Sequence, residues 1–143
     1  MHLAPDPDLL REAGALAGLT LNMDAVTPIA GGDISGAFRC GDQTGRSWFM
    51  KVNRAAFIDA FEAEAEGLRE IGRAQQLRVP GVAASGTTAD RSWLLLEWLD
   101  LVPGTPSALT TLGANLAGLH RTTASRLYSI PLYIMEIAKP IWP

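Results

Sequence analysis

A glutamate on the apolar side of a predicted helix most constrains the fold of this chain. The helix should span residues 59–75, and its apolar positions recur at helical spacing: Phe61, Ala65, Leu68 and Ile71. Glu64 lies three residues after Phe61 and four before Leu68, so it shares the side that these residues bury. Because an unpaired buried carboxylate costs several kcal/mol, Glu64 needs a cation from a neighbouring element.

Lys51 is the expected partner of Glu64. It lies thirteen residues earlier, near the end of a predicted strand. It is also the single lysine in the first 124 residues of a chain with ten arginines, which hints that this position needs an ammonium group. Two alternatives stay open at this point. Glu62 or Glu66 could pair with Lys51, and Lys51 could be an ordinary lysine at a strand end.

The elements around this pair follow the order of a protein-kinase-like small lobe. Turn residues separate three short segments with strand character, at 26–30, 37–40 and 47–52. Two more strands follow the helix, at 81–86 and 92–99, and further helices are predicted at 8–19 and 107–123. We therefore predict an α+β fold with a five-stranded antiparallel sheet. One helix lies between strands three and four, and N-terminal and C-terminal helices flank the lobe.

The turn between the first two strands carries Gly31, Gly32 and Asp33. Glycines let the backbone approach phosphate groups closely, because no side chain stands in the way. A lysine on the third strand would add a point charge for the α- and β-phosphates of a nucleotide. The turn lacks the usual G-x-G-x-x-G spacing, so an ordinary hairpin turn also accounts for it.

The fifth strand ends where a kinase-like lobe would present a hinge to an adenine ring. Its residues are Leu96, Glu97, Trp98 and Leu99. A hinge recognises the adenine edge through backbone carbonyl and amide groups, which leaves the side chains free to vary. A central strand followed by a loop therefore fits these residues equally well.

Several blocks of sequence support one interpretation together: GGDI at 31–34, WFMKVN at 48–53, FEAEAEGL at 61–68, RVP at 78–80, LLLEWLDL at 94–101 and LAGLHR at 116–121. They closely resemble the fructosamine kinase (ketosamine 3-kinase) family, over about residues 6–124. That family is similar in fold to aminoglycoside and choline kinases. The resemblance implies ATP-dependent phosphorylation of a sugar hydroxyl in ketosamines, which are glycated amines. It also implies that Lys51 and Glu64 position the phosphates of ATP, with Mg²⁺, and that residues 97–99 form the hinge.

The sequence departs from the family in two places. Ser35 and Gly36 stand where the family commonly has an Asn-Arg-like pair. After Ala124 the resemblance ends, and the helical large lobe, with its catalytic and metal-binding aspartates, has no counterpart. Glu136 is the single acidic residue after Asp100. We therefore expect a kinase-like N-lobe at 1–104, the first helix of a truncated C-lobe at 105–124, and a tail unrelated to the family at 125–143.

This organisation predicts a truncated fragment that is inactive alone, with no catalytic residue or magnesium ligand of its own. Two other functions stay open: a nucleotide- or partner-binding module without catalysis, and a fragment of an aminoglycoside-type phosphotransferase. A leucine stripe at 109–119 would lack the cover of a large lobe, so self-association through this apolar face is expected.

Composition limits the partners and the compartment. The net charge of −3 gives no electrostatic reason to expect nucleic acid or an anionic membrane. No apolar run reaches the roughly 18 residues that a membrane span needs. Cys40 is the one cysteine, so no internal disulfide can form and a cytoplasmic location is expected. Cys40 itself is predicted to be a small buried residue of a strand.

Overall fold

The computed structural model describes residues 3–30 and 34–122. The elements in chain order are helix α1 (Pro7–Ala17), strands β1 (Leu21–Pro28), β2 (Gly36–Asp42) and β3 (Ser47–Arg54), helix α2 (Ile58–Ala74), strands β4 (Val82–Thr88) and β5 (Arg91–Glu97), and helix α3 (Pro106–Thr122). A 3₁₀ turn, Ala55–Phe57, joins β3 to α2. The predicted α+β order is confirmed. The predicted tail at 125–143 and the turn residues Gly31, Gly32 and Asp33 lie outside the described residues.

The five strands form one antiparallel sheet in the order β1-β2-β3-β5-β4. β5 therefore has a neighbour on each side, and its residues 91–96 are all buried. The apolar run in this strand follows from that position, because a central strand covered on both faces has no polar face to offer.

The chain divides into two compact units, residues 1–65 with 80–98 and residues 66–79 with 99–143. The first unit contains α1 and the whole sheet. α1 packs on one sheet face, and the buried core there consists of Leu9, Leu10, Ala13, Phe38, Cys40, Trp48, Met50, Val52, Trp93 and Leu95. Because successive strand residues alternate between faces, Phe49 and Lys51 lie on the opposite face. Cys40 is fully buried, as predicted.

The described part of the second unit has a small core of its own. Ile71 and Leu119 are buried there, with Ala74, Leu77 and Val79 packed around them. The prediction of an uncovered stripe at 109–119 is therefore wrong at its C-terminal end, where Leu119 is 1% exposed, while Leu109 is 37% exposed. The cover comes from residues of the α2 end and the segment after it, which sequence periodicity does not reveal.

Local capping explains why the observed helix ends differ from the predicted ones. Asp6 caps α1, since its carboxylate accepts the Leu9 N–H at 2.9 Å, and Gly18 ends the helix with φ of 70°. Thr105 caps α3, because its hydroxyl oxygen accepts the Ala108 N–H at 3.1 Å. Both helices therefore begin one residue earlier than predicted.

The first strand departs most from its prediction. It spans Leu21–Pro28 rather than 26–30, with an irregularity in its pairing with β2 between Leu21 and Val26. Polar residues such as Asn22 and Asp24 interrupt the apolar pattern from which a strand is predicted, so the sequence does not indicate this part of the strand. An edge strand tolerates them, because it pairs on one side and leaves much of its surface in water. Among the described residues, no helix combines the length and the apolar character that crossing a bilayer requires.

Candidate functional site

Lys51 on β3 and Glu64 on α2 form an ion pair in the first unit. The ammonium nitrogen lies 2.9 Å from Glu64 Oε2 and 3.1 Å from Glu64 Oε1. The two side chains are 19% and 8% exposed. The predicted pairing is present, whereas Glu62 and Glu66, the alternative partners, are exposed. The role of the pair in holding phosphates stays a prediction.

The buried stripe of α2 turns Glu64 toward the sheet. Phe61 and Ala65, one turn apart on this stripe, are 0% and 1% exposed, so the rotation of the helix about its axis is fixed. The Phe61 ring centroid lies 5.9 Å from the Lys51 ammonium, and the ring of Phe57 meets Phe61 edge to face at 5.2 Å. An aromatic face near the ammonium interacts favourably with its positive charge and excludes water from one side of the pair.

Asn53 extends the same face of β3 and was not predicted from the sequence. Its Nδ2 donates to the Ile34 carbonyl at 3.1 Å and to Ser35 Oγ at 2.9 Å, and its Oδ1 accepts the Arg54 N–H at 2.8 Å. The side chain is buried. One signal could have revealed it: asparagine is depleted in strands, so an asparagine two residues after Lys51 in an apolar strand calls for buried partners.

The predicted hinge begins where β5 ends. Leu96 is buried and paired with Phe49, so it lies within the sheet. The Glu97 N–H donates to the Gly81 carbonyl at 2.8 Å, and Glu97 Oε2 accepts the Gly81 N–H at 3.0 Å. Because the Glu97 N–H already has this acceptor, the predicted hinge would need its backbone donor at a later residue, and the hinge role stays a prediction.

Trp98 follows the strand and is fixed by two side chains of the sheet. Its ring lies 6.4 Å from that of Phe49, and the Arg39 guanidinium carbon lies 4.5 Å from the ring centroid. Arg39 Nε also donates to Ser47 Oγ at 3.0 Å. Arg39 and Phe49 are register partners on β2 and β3, so the first residue after β5 contacts two neighbouring strands.

The structure therefore brings five predicted site residues into the first unit: Lys51, Glu64, Leu96, Glu97 and Trp98. Leu99 begins the C-terminal segment of the second unit. Gly31, Gly32 and Asp33 lie outside the described residues, and only the exit of their turn, at Ile34 and Ser35, is seen.

Two further titratable groups, the Asp42 carboxylate and the Cys40 thiol, belong to the sheet rather than to the site. The Asp42 carboxylate accepts from the Thr44 N–H and hydroxyl, the Arg46 N–H and, at 3.0 Å, the Trp48 indole N–H. The Thr44 hydroxyl above all, and then the Trp48 indole, lower the pKa of Asp42 to about 2. Burial raises the pKa of the Cys40 thiol to about 12, so this thiol stays protonated and unreactive at neutral pH.

The family implied by the sequence uses Mg²⁺ with ATP, which calls for carboxylate ligands. Within residues 3–30 and 34–122, no three His, Cys, Asp or Glu side chains come together in a way that could hold a metal ion. None of the described residues is therefore assigned to Mg²⁺.

The sequence profile of the fructosamine kinase family matches residues 10–133. The chain belongs to the fructosamine kinase family. The match ends within the segment 125–143 that was predicted to be unrelated, and that boundary stays a prediction. The most similar proteins include a Synechocystis protein assigned as a ketoamine kinase, which is 30% identical over 85% of this chain and 41% of its own length.

Solved structures agree with this membership. A Thermobifida fusca protein assigned as a fructosamine-3-kinase has a TM-score of 0.66 and is 27% identical over 85% of this chain and 41% of its own. Amicoumacin kinase, solved with AMP-PNP, has a TM-score of 0.62 and 18% identity over 90% of this chain and 43% of its own, which shows the shared fold. The chain thus spans about two fifths of the length of the relatives it matches.

Proposed function

We propose that this chain is the ATP-binding lobe of a ketosamine kinase, with Lys51 as the residue that contacts the α- and β-phosphates. The observation that carries this proposal is the buried, two-oxygen contact between Lys51 and Glu64. An ammonium has three donors, and two of them meet Glu64, so the third can meet a phosphate oxygen. ATP is the nucleotide to test first, because amicoumacin kinase, which shares the fold, is solved with AMP-PNP.

Glu64 has a positioning role in this proposal. Lysine has a long, flexible side chain, so its ammonium can occupy many positions. A carboxylate that accepts hydrogen bonds from one side of the ammonium fixes its position. The 8% exposure of Glu64 keeps water from competing for this contact. The adenine ring would meet the backbone after Glu97, next to the Trp98 ring that Arg39 and Phe49 hold in place.

The reaction of the whole enzyme would be transfer of the γ-phosphoryl group of ATP to a sugar hydroxyl of a ketosamine. That transfer needs carboxylates to hold Mg²⁺ and to orient the hydroxyl. Glu136 is the one acidic residue after Asp100, and the chain spans about two fifths of its relatives. We therefore propose that the chain alone binds ATP without turnover. Its single, buried cysteine fits the cytoplasm as its compartment.

Isothermal titration of the chain with ATP tests the nucleotide role. The wild-type chain should bind ATP, Lys51→Met should lose at least about tenfold in affinity, and Glu64→Gln should lose less. Arg11→Ala is the matched control, because it removes an exposed cation of the same unit, 70% exposed, and should bind normally. No binding by the wild-type chain, or equal binding by Lys51→Met, refutes the proposal.

A coupled assay with ATP and a fructosamine tests the proposal that the chain alone does not turn over its substrate. The purified chain should give no ADP above the background rate of the Lys51→Met variant. Turnover by the wild-type chain alone would show that it carries a complete catalytic site.

A further inference from the structure

We infer that Arg39 is a positioning residue for the base of the nucleotide, because its guanidinium holds the Trp98 ring at the end of β5. This inference rests on the ATP-binding role proposed above. It adds a residue to that role, since neither the family match nor the resemblance assigns a function to Arg39. The residues that carry the inference all belong to the first unit.

Arg39 lies on the same face of the sheet as Lys51, but its side chain is directed toward the other end of that face. Arg39 pairs with Phe49, and Lys51 is two residues further along β3. In the opposite direction, Arg39 Nε donates to Ser47 Oγ at 3.0 Å. Ser47 and Lys51 are four residues apart on one strand, which is about 13 Å. The guanidinium is therefore directed away from the ammonium that the phosphates would meet.

The guanidinium of Arg39 lies over the Trp98 ring, with its carbon 4.5 Å from the ring centroid. A guanidinium is planar and weakly hydrated, so it stacks on an aromatic face more readily than an ammonium does. The hydrogen bond to Ser47 fixes its orientation, and the Phe49 ring lies 6.4 Å from the Trp98 ring. Trp98 is one residue beyond β5, so the direction of its ring depends on side-chain contacts as well as on the sheet.

The end of the face that carries Trp98 suits a base better than a phosphate. Phe49 and Trp98 are partly buried aromatic rings, and aromatic rings bind the flat face of a base by stacking. A ring that is already held in one orientation loses less conformational freedom when a base arrives beside it. Loss of Arg39 should therefore weaken ligands that carry a base and spare a polyphosphate that lacks one.

Other roles for Arg39 predict different results. A direct contact with the phosphates would make the loss of Arg39 weaken a bare polyphosphate as much as ATP. A direct contact with the base would persist without Trp98, so the effects of removing both residues would add. In the proposed role Arg39 acts through Trp98, so its removal has no further effect once the ring is gone. A merely structural role would weaken ligands with and without a base alike, or neither.

The test compares ATP and tripolyphosphate on the purified chain by isothermal titration. Arg39→Ala should weaken ATP about fivefold and change tripolyphosphate by less than about twofold. Trp98→Ala should weaken ATP about tenfold. The double variant Arg39→Ala, Trp98→Ala should bind ATP as tightly as Trp98→Ala alone.

Arg46→Ala is the matched control. Arg46 is another exposed arginine stacked on a tryptophan, with its guanidinium carbon 4.4 Å from the Trp48 ring centroid. It lies at the turn between β2 and β3, and Trp48 belongs to the core on the other face of the sheet. Arg46→Ala should therefore leave both affinities unchanged. Circular dichroism checks that each variant is folded.

The outcomes separate this inference from the ATP-binding role. If the wild-type chain does not bind ATP, both fall. If it binds ATP, three results overturn the role of Arg39 alone: Arg39→Ala binds ATP as tightly as wild type, tripolyphosphate weakens as much as ATP, or the losses of the two single variants add in the double variant. The double variant decides alone if tripolyphosphate binds too weakly to measure. Should Arg39→Ala fail to fold, Ser47→Ala carries the test: it removes the acceptor of Arg39 Nε and should weaken ATP about twofold, and no weakening overturns the inference.

Discussion

The Lys51 ammonium lies within hydrogen-bond distance of both oxygens of Glu64, across thirteen residues of sequence and between a strand and a helix. Both side chains are mostly withdrawn from water. Each charge is therefore tolerated because the other is present, and the pair couples the position of α2 to the sheet.

Removal of one partner should cost more than removal of both. Glu64→Ala leaves the ammonium partly buried without its carboxylate and should lower the free energy of unfolding by about 3 kcal/mol. The double variant Lys51→Met, Glu64→Leu should recover most of that loss, because no unpaired charge remains. Urea unfolding measures both values.

The exposed pair of Arg73 and Glu70 provides the control for this prediction. Arg73→Ala should change stability by less than about 1 kcal/mol, as exposed ion pairs contribute little. A double variant at 51 and 64 that is as unstable as Glu64→Ala would show that packing, rather than charge, explains the loss.

The hairpin between β2 and β3 should lose stability in acid through Asp42. Its four accepted hydrogen bonds hold the pKa at about 2 in the folded chain, below the ordinary 3.8. A group with a lowered folded pKa stabilises the fold above its unfolded pKa, and this contribution disappears as the pH falls from about 4 to about 2. Asp42→Asn should therefore be less stable than wild type at pH 7, and the difference should shrink below pH 4.

Urea unfolding of both proteins at several pH values between 7 and 2.5 measures this difference. Asp6 also has a lowered pKa, chiefly through the Leu9 N–H. Because Asp6 is present in both proteins, its contribution cancels in the difference between their free energies of unfolding. Asp24→Asn, at an exposed strand position, is the control and should follow wild type throughout. A difference in the free energy of unfolding between wild type and Asp42→Asn that stays constant with pH contradicts the prediction.

The sequence reveals contacts whose partners are set by periodicity and misses those set by strand register. Glu64 could be matched to Lys51 because helical spacing fixed its direction and the chain offered one lysine in 124 residues. The Arg39–Trp98 and Asn53–Ser35 contacts each join a strand residue to a residue just beyond the end of another strand, so they depend on how the strands are aligned. A shift of one residue in that register would turn each side chain to the other face, so local sequence cannot predict them.

Trp98 should report ATP binding by fluorescence if residues after Glu97 meet the adenine ring. Its ring is fixed against Arg39 and Phe49, so a ligand beside it should change its emission. Saturating ATP should alter the emission of the wild-type chain, and Trp98→Phe should lose most of this response while still binding ATP by titration. Trp142→Phe, outside the predicted hinge, should keep it. An undiminished response in Trp98→Phe would place the adenine away from this residue.

The chain should self-associate through apolar side chains of its second unit. Leu101, Val102 and Leu109 are 47%, 74% and 37% exposed, and water-exposed apolar groups gathered within nine residues favour association. Leu119 takes no part, because it is buried within the unit.

Size-exclusion chromatography with light scattering should show a mass that rises with concentration, and Val102→Ser with Leu109→Ser should lower it. Leu16→Ser, which removes an exposed leucine of α1, should have no effect. A wild-type chain that stays monomeric at every concentration would show that this surface does not bind a second copy.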